Sequence, residues 1–280
     1  MQHLAAQILA KYQAKRRVKP QSGKGEAFTV YEYSDRQVAN RHRDKAERLQ
    51  KLNGSIGKLR TKVRKDMRSE DPETRLTALA VALMDETAER VGNETSAEEA
   101  GHFGVTGWQR KHLSFKGGDV TISYTGKSGV KHKKKVSDAG IRKALRDAYE
   151  AGESDDASVL SWEGGSVTAE KVNAYLRPFD ITAKDLRGLH ANVLMREKLK
   201  AVRKGQLPED KKERTKQLKD EFKKALEETA EEIGHTPSML RSSYLTPGLE
   251  DSFLKDGEVS DKFTKEASLA DRVLVRYLAD

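Results

Sequence analysis

Cysteine is absent from the 280 residues. This excludes a disulfide scaffold, a cysteine nucleophile and any thiolate metal site, and it removes any sign of an oxidising compartment. Long apolar runs are absent too, since no stretch approaches the roughly 18 residues that a membrane-spanning helix needs. The first 25 positions hold no acidic residue and six bases (Lys11, Lys15, Arg16, Arg17, Lys19 and Lys24). With no apolar centre and no small-residue cleavage site, this stretch does not read as a secretory signal, and its low serine content argues against a transit peptide. No Walker-type phosphate loop occurs, no histidine and carboxylate cluster has recognisable metal-ligand spacing, and no internal repeat is visible.

What is present is charge. Hydrophobic residues make up 36% and charged residues 35%, enough apolar content for a core inside an unusually charged surface. The 53 Lys+Arg against 44 Asp+Glu give +9. The surplus is uneven: residues 1–70 carry 18 bases and 7 acids, so the remainder is close to neutral. Such asymmetry points to a polyanionic partner. The basic start is either a solvated arm, helical from Leu4 to Arg17, or an arm that tracks DNA.

The chain reads as mainly α with a small three-stranded antiparallel sheet. Helical stretches are expected over Asp35–Leu52 and Ser55–Arg68, broken at Asn53-Gly54, and a candidate strand lies at Phe28–Tyr33. Asp71-Pro72 opens a stronger helix on which Leu76, Leu79, Ala80, Leu83 and Thr87 form one stripe. Arg90, seven residues after Leu83, continues that stripe onto the buried side, where a permanent charge is costly unless it meets an anion. Residues 110–136 switch to period 2, with turns at Gly117-Gly118 and Ser128-Gly129, which predicts a three-stranded meander. Lys127 then sits at its second tip. Helices return from Ser137, with a loop at 152–156, and continue over 168–177, 183–202, 208–233 and 260–278. Thr236-Pro237 caps and opens a short helix on which Leu240 and Tyr244 stand four residues apart.

Four segments stand out: Arg90-Val91-Gly92-Asn93-Glu94, Gly126-Lys127-Ser128-Gly129, Lys184-Asp185-Leu186-Arg187, and Gly234-His235-Thr236-Pro237 with Tyr244 nine residues after His235. In this order they resemble the type IB DNA topoisomerases, part of the superfamily shared with the tyrosine recombinases. The resemblance covers roughly residues 30–260. It implies a fold of the topoisomerase IB and tyrosine recombinase catalytic-domain type, and relaxation of supercoiled DNA through a transient 3′-phosphotyrosine. By resemblance Tyr244 is the nucleophile, Arg90 and Arg187 bind the attacked phosphate, and His235 donates to another of its oxygens. Lys127 matches the lysine that protonates the leaving 5′ oxygen, and Lys184 is a candidate second general acid. The chemistry needs such groups: a nucleophile to store the bond energy, fixed donors for the charge that develops on phosphate, and an acid for the alcohol. Arginine suits the phosphate because its fork binds two oxygens and stays charged.

Each residue has a plainer reading. Tyr244 could be a core aromatic, Lys127 an ordinary turn lysine, Arg187 a partner of a nearby glutamate, and His235 part of a helix start. The ordered set favours catalysis. A tyrosine recombinase or integrase is the nearest alternative, but that family carries His-x-x-Arg where this chain has Lys184-Asp185-Leu186-Arg187. A non-catalytic DNA-binding relative is a further alternative.

The resemblance implies double-stranded DNA as partner, no cofactor or metal, a monomeric catalytic unit, and an intracellular location with the DNA. The family's β-rich clamp domain looks missing or reduced to the basic arm at 1–34, ahead of a catalytic domain over 35–280. A truncated chain, a clamp supplied by a separate domain or subunit, or a minimal enzyme would each fit. The 260–278 helix, with Leu269, Val273, Val275 and Leu278, is expected to pack on its own domain.

Overall fold

A computed structural model of the protein describes residues 14–18, 28–32, 35–92, 97, 101–126 and 129–259, with side chains for Arg17 and from Asp44 onward. The expected 260–278 helix and most of the amino-terminal arm lie outside the described residues. The chain divides into two compact units, 1–47 and 48–280. In the first, β1 (Ala14–Val18) pairs antiparallel with β2 (Phe28–Glu32). The candidate strand at Phe28 is present. The helical reading of the arm is corrected at its end, because Ala14–Val18 finds a strand partner instead.

Helix α1 (Asp35–Asp66) runs through Asn53-Gly54 without a break. Leu49, Leu52, Ile56, Leu59 and Val63 are all buried, and their spacing makes one continuous helical face. Gly54 is exposed, with open space where a Cβ would stand. Glycine costs a helix about 1 kcal/mol, less than one buried leucine contributes at ~1.5–3 kcal/mol, so packing overrides the turn signal.

Helix α2 (Pro72–Thr87) begins as its residues require. The Asp71 side chain accepts from Thr74 N–H, and Pro72 occupies the first turn, where its missing N–H is no loss. The whole stripe from Leu76 to Thr87 is buried. The meander follows as β3 (Leu113–Lys116), β4 (Asp119–Thr125) and β5 (Lys131–Val136), hydrogen-bonded in that order. Inward positions Val120, Ile122, Tyr124, His132 and Val136 are buried, as alternation demands. Helix α3 (Ala139–Glu150) is capped by Asp138. A small hairpin, β6 (Ser161–Trp162) with β7 (Gly165–Ser166), was not anticipated from the pattern. Two residues per strand are too few to show a period.

The remaining helices are α4 (Ala169–Leu176), α5 (Ala183–Val202), α6 (Lys211–Ile233), the single turn α7 (Pro237–Met239) and α8 (Leu249–Asp256). Helix α5 decides the architecture. Ala183, Leu186, Leu189 and Val193 enter one core with α1, α2 and the sheet. Ala191, Met195 and Leu199 enter a second core with α6 and α8. A helix apolar on several faces must be enclosed, and α5 is the wall between the two cores. Residues that face this seam can be buried without being apolar, and the candidate site lies along it.

Candidate active site

Four segments supply the site, each with a local cause for its path. Helix α2 stops at Thr87 because Ala88 takes a left-handed conformation, φ 55°. For an alanine that costs about 1–2 kcal/mol, so the surrounding structure must hold it. Bonds from Val105 N–H to Arg90 O at 2.9 Å and from Thr106 N–H to Val91 O at 2.7 Å fix the departing chain. Arg90 is therefore not on the α2 stripe, and the helical extrapolation fails there. Its side chain meets an imidazole instead, with Nη2 3.1 Å from His235 Nδ1.

Arg187 stands on the second turn of α5, only 2% exposed. Its Nη2 donates to Ile233 O at the end of α6. Nη1 lies 3.7 Å from Glu89 Oε2. Nε and Nη1 have no hydrogen-bond partner among the described residues. Burial, reinforced by the charge on Arg90, lowers its proton affinity below the ordinary value, yet a guanidinium remains a cation at any working pH. Buried N–H groups of a cation left unbonded are costly, and an anion is the natural remedy.

Helix α6 ends at Gly234 in the left-handed region, φ 67°. This glycine is required twice. The conformation favours it, and a Cβ there would lie 2.4 Å from His132 Cε1. The next residue, His235, has its pKa lowered to about 3 by burial first and then by Arg187 and Arg90. The ring is therefore neutral at neutral pH. Arginine can only donate, so Nδ1 accepts from Arg90 and the ring hydrogen resides on Nε2. Nε2 is buried and has no partner among the described residues.

Thr236 caps α7 by accepting from Met239 N–H at 3.2 Å. The chain then widens into a π turn over Leu240–Tyr244 rather than the regular helix expected. Such π turns occur often at functional sites. Tyr244 is 8% exposed, with its ring centroid 4.3 Å from that of His235. The Arg187 guanidinium carbon and Lys184 Nζ each lie 6.0 Å from the Tyr244 ring centroid. Lys184 itself is exposed, one turn ahead of Arg187.

The structure thus groups Arg90, Arg187, His235 and Tyr244, with Lys184 at the rim. Lys127 and Ser128 lie outside the described residues, as do Asn93 and Glu94. The flanks of the lysine turn are described: Gly126 N–H bonds Val130 O at 2.7 Å, and Gly129 N–H bonds Gly126 O at 3.1 Å.

Several participants escaped the sequence reading. Asn192 is fully buried, and its Nδ2 donates to Tyr244 O at 2.8 Å. Its Oδ1 accepts from Thr246 N–H at 2.7 Å and Thr246 Oγ1 at 3.0 Å. Arg196 joins by donating to Thr246 Oγ1 at 3.2 Å. One amide therefore holds the chain on the carboxyl side of the tyrosine. Glu89 and His132 were also missed. Glu89 is 1% exposed and takes His132 Nδ1–H at 2.9 Å. Burial alone would raise its pKa, but the His132 bond, the Arg187 charge and further partners Tyr124 and Lys134 bring it down to about 2. The available signal was weak: Glu89 adjoins Arg90, His132 has an inward strand position, and Asn192 follows Arg187 by five.

Taken as chemistry, the cluster has the donors to bind an anion beside a phenol. It offers donors on two arginines and one neutral imidazole, partly withdrawn from water, where such donors act most strongly on developing charge. Among the described residues no group of three or more His, Asp or Glu could hold a metal ion. No described helix is long and apolar enough to cross a membrane.

Comparison with known proteins gives the same direction. A family model described as the catalytic core of eukaryotic DNA topoisomerase I matches residues 34–256. The DNA topoisomerase 1B of Acanthamoeba polyphaga mimivirus is 23% identical over 228 residues, which cover 77% of this chain and 66% of the relative. The chain thus spans just under two thirds of that relative's length.

Proposed function

Since the chain belongs to the type IB DNA topoisomerase family, matching its catalytic core over most of its length, we propose that it relaxes supercoiled duplex DNA by cutting and resealing one strand. Tyr244 gives up its phenolic proton to water and attacks a backbone phosphate, forming a bond from its phenolic oxygen to phosphorus while the bond to the 5′ oxygen breaks. The enzyme is left joined to the 3′ phosphate, the free 5′ end rotates, and the reverse step reseals the strand. Energy is conserved in the phosphotyrosine, so the scheme calls for no ATP and no metal.

Charge builds on the phosphate oxygens in the transition state. Arg90, Arg187 through Nε and Nη1, and His235 through Nε2–H are the donors for it. Donors fixed by the fold need little reorganisation as the reaction proceeds. Lys127 donates the proton that the departing 5′ oxygen requires, with Lys184 the alternative acid from the α5 rim. Asn192 keeps the Tyr244 turn against α5.

The observation that carries this reading is the grouping of Arg90, Arg187 and His235 around Tyr244 from segments far apart in sequence. The test is relaxation of a negatively supercoiled plasmid in EDTA without ATP, with Tyr244→Phe alongside. Relaxation by the parent and none by the variant is expected. Equal relaxation by both would remove Tyr244 from its role, and none by either would leave a DNA-binding scaffold.

A further inference from the structure

Glu89 and His132 take no part in bond making, yet they touch three of the four segments of the site. We propose that Glu89 is a positioning residue for Arg187, anchored from behind by His132, and that the pair controls the chemical step rather than DNA affinity. The inference rests on the transesterification reading above.

The geometry separates the two faces of the carboxylate. Oε1 accepts from His132 Nδ1 at 2.9 Å and lies 3.4 Å from Lys134 Nζ. Oε2 faces Arg187 Nη1 at 3.7 Å, beyond ordinary hydrogen-bond distance. A carboxylate at that separation holds the guanidinium by charge without consuming its N–H groups. Nη2 is already committed to Ile233 O, so one bond and one charge contact set the fork, and Nε and Nη1 stay open. A closer glutamate would compete with phosphate for the same hydrogens. An apolar residue would leave the buried cation with no opposite charge at this contact, which is strongly unfavourable.

His132 makes this arrangement stiff. Its ring stacks on Tyr124, with centroids 4.9 Å apart and planes 10° from parallel. Backbone closes in on its edge: a Cβ on Gly126 would lie 2.6 Å from Nε2, and one on Gly234 2.4 Å from Cε1. With the ring so confined, the Nδ1–H has one direction, toward Glu89. Glu89 immediately precedes Arg90, so a shift of its backbone would disturb both arginines.

The test is single-turnover formation of the covalent adduct on a short duplex at saturating enzyme. Duplex affinity is measured separately in a Tyr244→Phe background. Glu89→Gln is expected to form adduct about 10- to 100-fold more slowly, the scale on which small misplacements act, with duplex affinity within about 3-fold. In an Arg187→Ala background the same substitution is expected to cause little further loss, because Glu89 acts through that residue. His132→Ala should resemble Glu89→Gln, while His132→Asn, which keeps a side-chain N–H, should recover most of the rate. If Glu89→Gln does not fold, the two His132 variants carry the test. A parental rate in folded Glu89→Gln, an equal loss in the Arg187→Ala background, or a loss confined to affinity would each overturn the positioning role alone. No adduct from the parent enzyme would overturn the transesterification reading as well.

Discussion

His235 offers the sharpest check on the electrostatics of the site. With burial and two arginines lowering its pKa to about 3, it is neutral across the whole useful pH range. Its Nδ1 is engaged by Arg90 at 3.1 Å, so its one hydrogen is on Nε2. His235→Ala removes that donor together with the Nδ1 acceptor that Arg90 engages. Loss of one such donor typically costs ~2.7–4 kcal/mol of transition-state stabilisation, or about 10²- to 10³-fold in rate. His235→Gln can still offer an N–H and should retain substantially more activity than the alanine variant. The assay is single-turnover adduct formation on a short duplex between pH 5 and pH 9. The sign is clear: a group whose folded pKa lies near 3 loses its charge far below pH 5, so no inflection from His235 should appear. A parental profile with an ionisation near pH 6.5 that vanishes in His235→Gln would refute the neutral assignment. An undiminished rate in His235→Ala would refute the donor role.

Two stability predictions come from residues around the site. Gly234→Ala combines left-handed strain of about 1–2 kcal/mol with a collision at 2.4 Å against His132, which adds ~1–3 kcal/mol; a lowered thermal midpoint is expected, and an unchanged one would contradict the close contact. Asp85 joins α1, α2 and α5 by accepting from Arg60 at 2.6 and 3.1 Å and from His190 at 2.8 Å. Burial raises its pKa, but the His190 bond and the Arg60 charge outweigh that and hold it well below the usual aspartate range. A depressed folded pKa gives stability that is complete above the unfolded value and lost as pH falls, so denaturant midpoints should drop below about pH 4. Asp85→Asn should cost ~3–5 kcal/mol at neutral pH and flatten that acid dependence.

Local chemistry was legible wherever a short stretch dictates its own structure. Asp71-Pro72 and Thr236-Pro237 marked helix starts that are present in the fold, because caps depend on neighbours in sequence. Alternation read over residues 110–136 predicted the meander for the same reason, although its strands begin only at Leu113. The reading went wrong where distant packing decides. Asn53-Gly54 resembles a turn, but a buried leucine face carries α1 through it. Arg90 extrapolates onto a helix that has already ended at a left-handed Ala88. The Ala14–Val18 strand depends on pairing with residues ten to eighteen positions away.

The site divides in the same way. The candidate residues Arg90, Arg187, His235 and Tyr244 could be named because their segments, in this order, resemble the family's, and phosphate chemistry explains why cations, a donor and a nucleophile are needed. What holds them could not. Glu89 and His132 meet across 43 positions and Asn192 and Tyr244 across 52, and neither pair has a local pattern. A buried carboxylate looks like any surface glutamate until the fold removes its water. The sequence by itself determined the family and the helical class, and it nominated the candidate reactive groups. Only the tertiary structure decided which nitrogen of His235 carries the hydrogen, which N–H groups of Arg187 stay open, and which buried anion holds them, because those properties belong to contacts made through space.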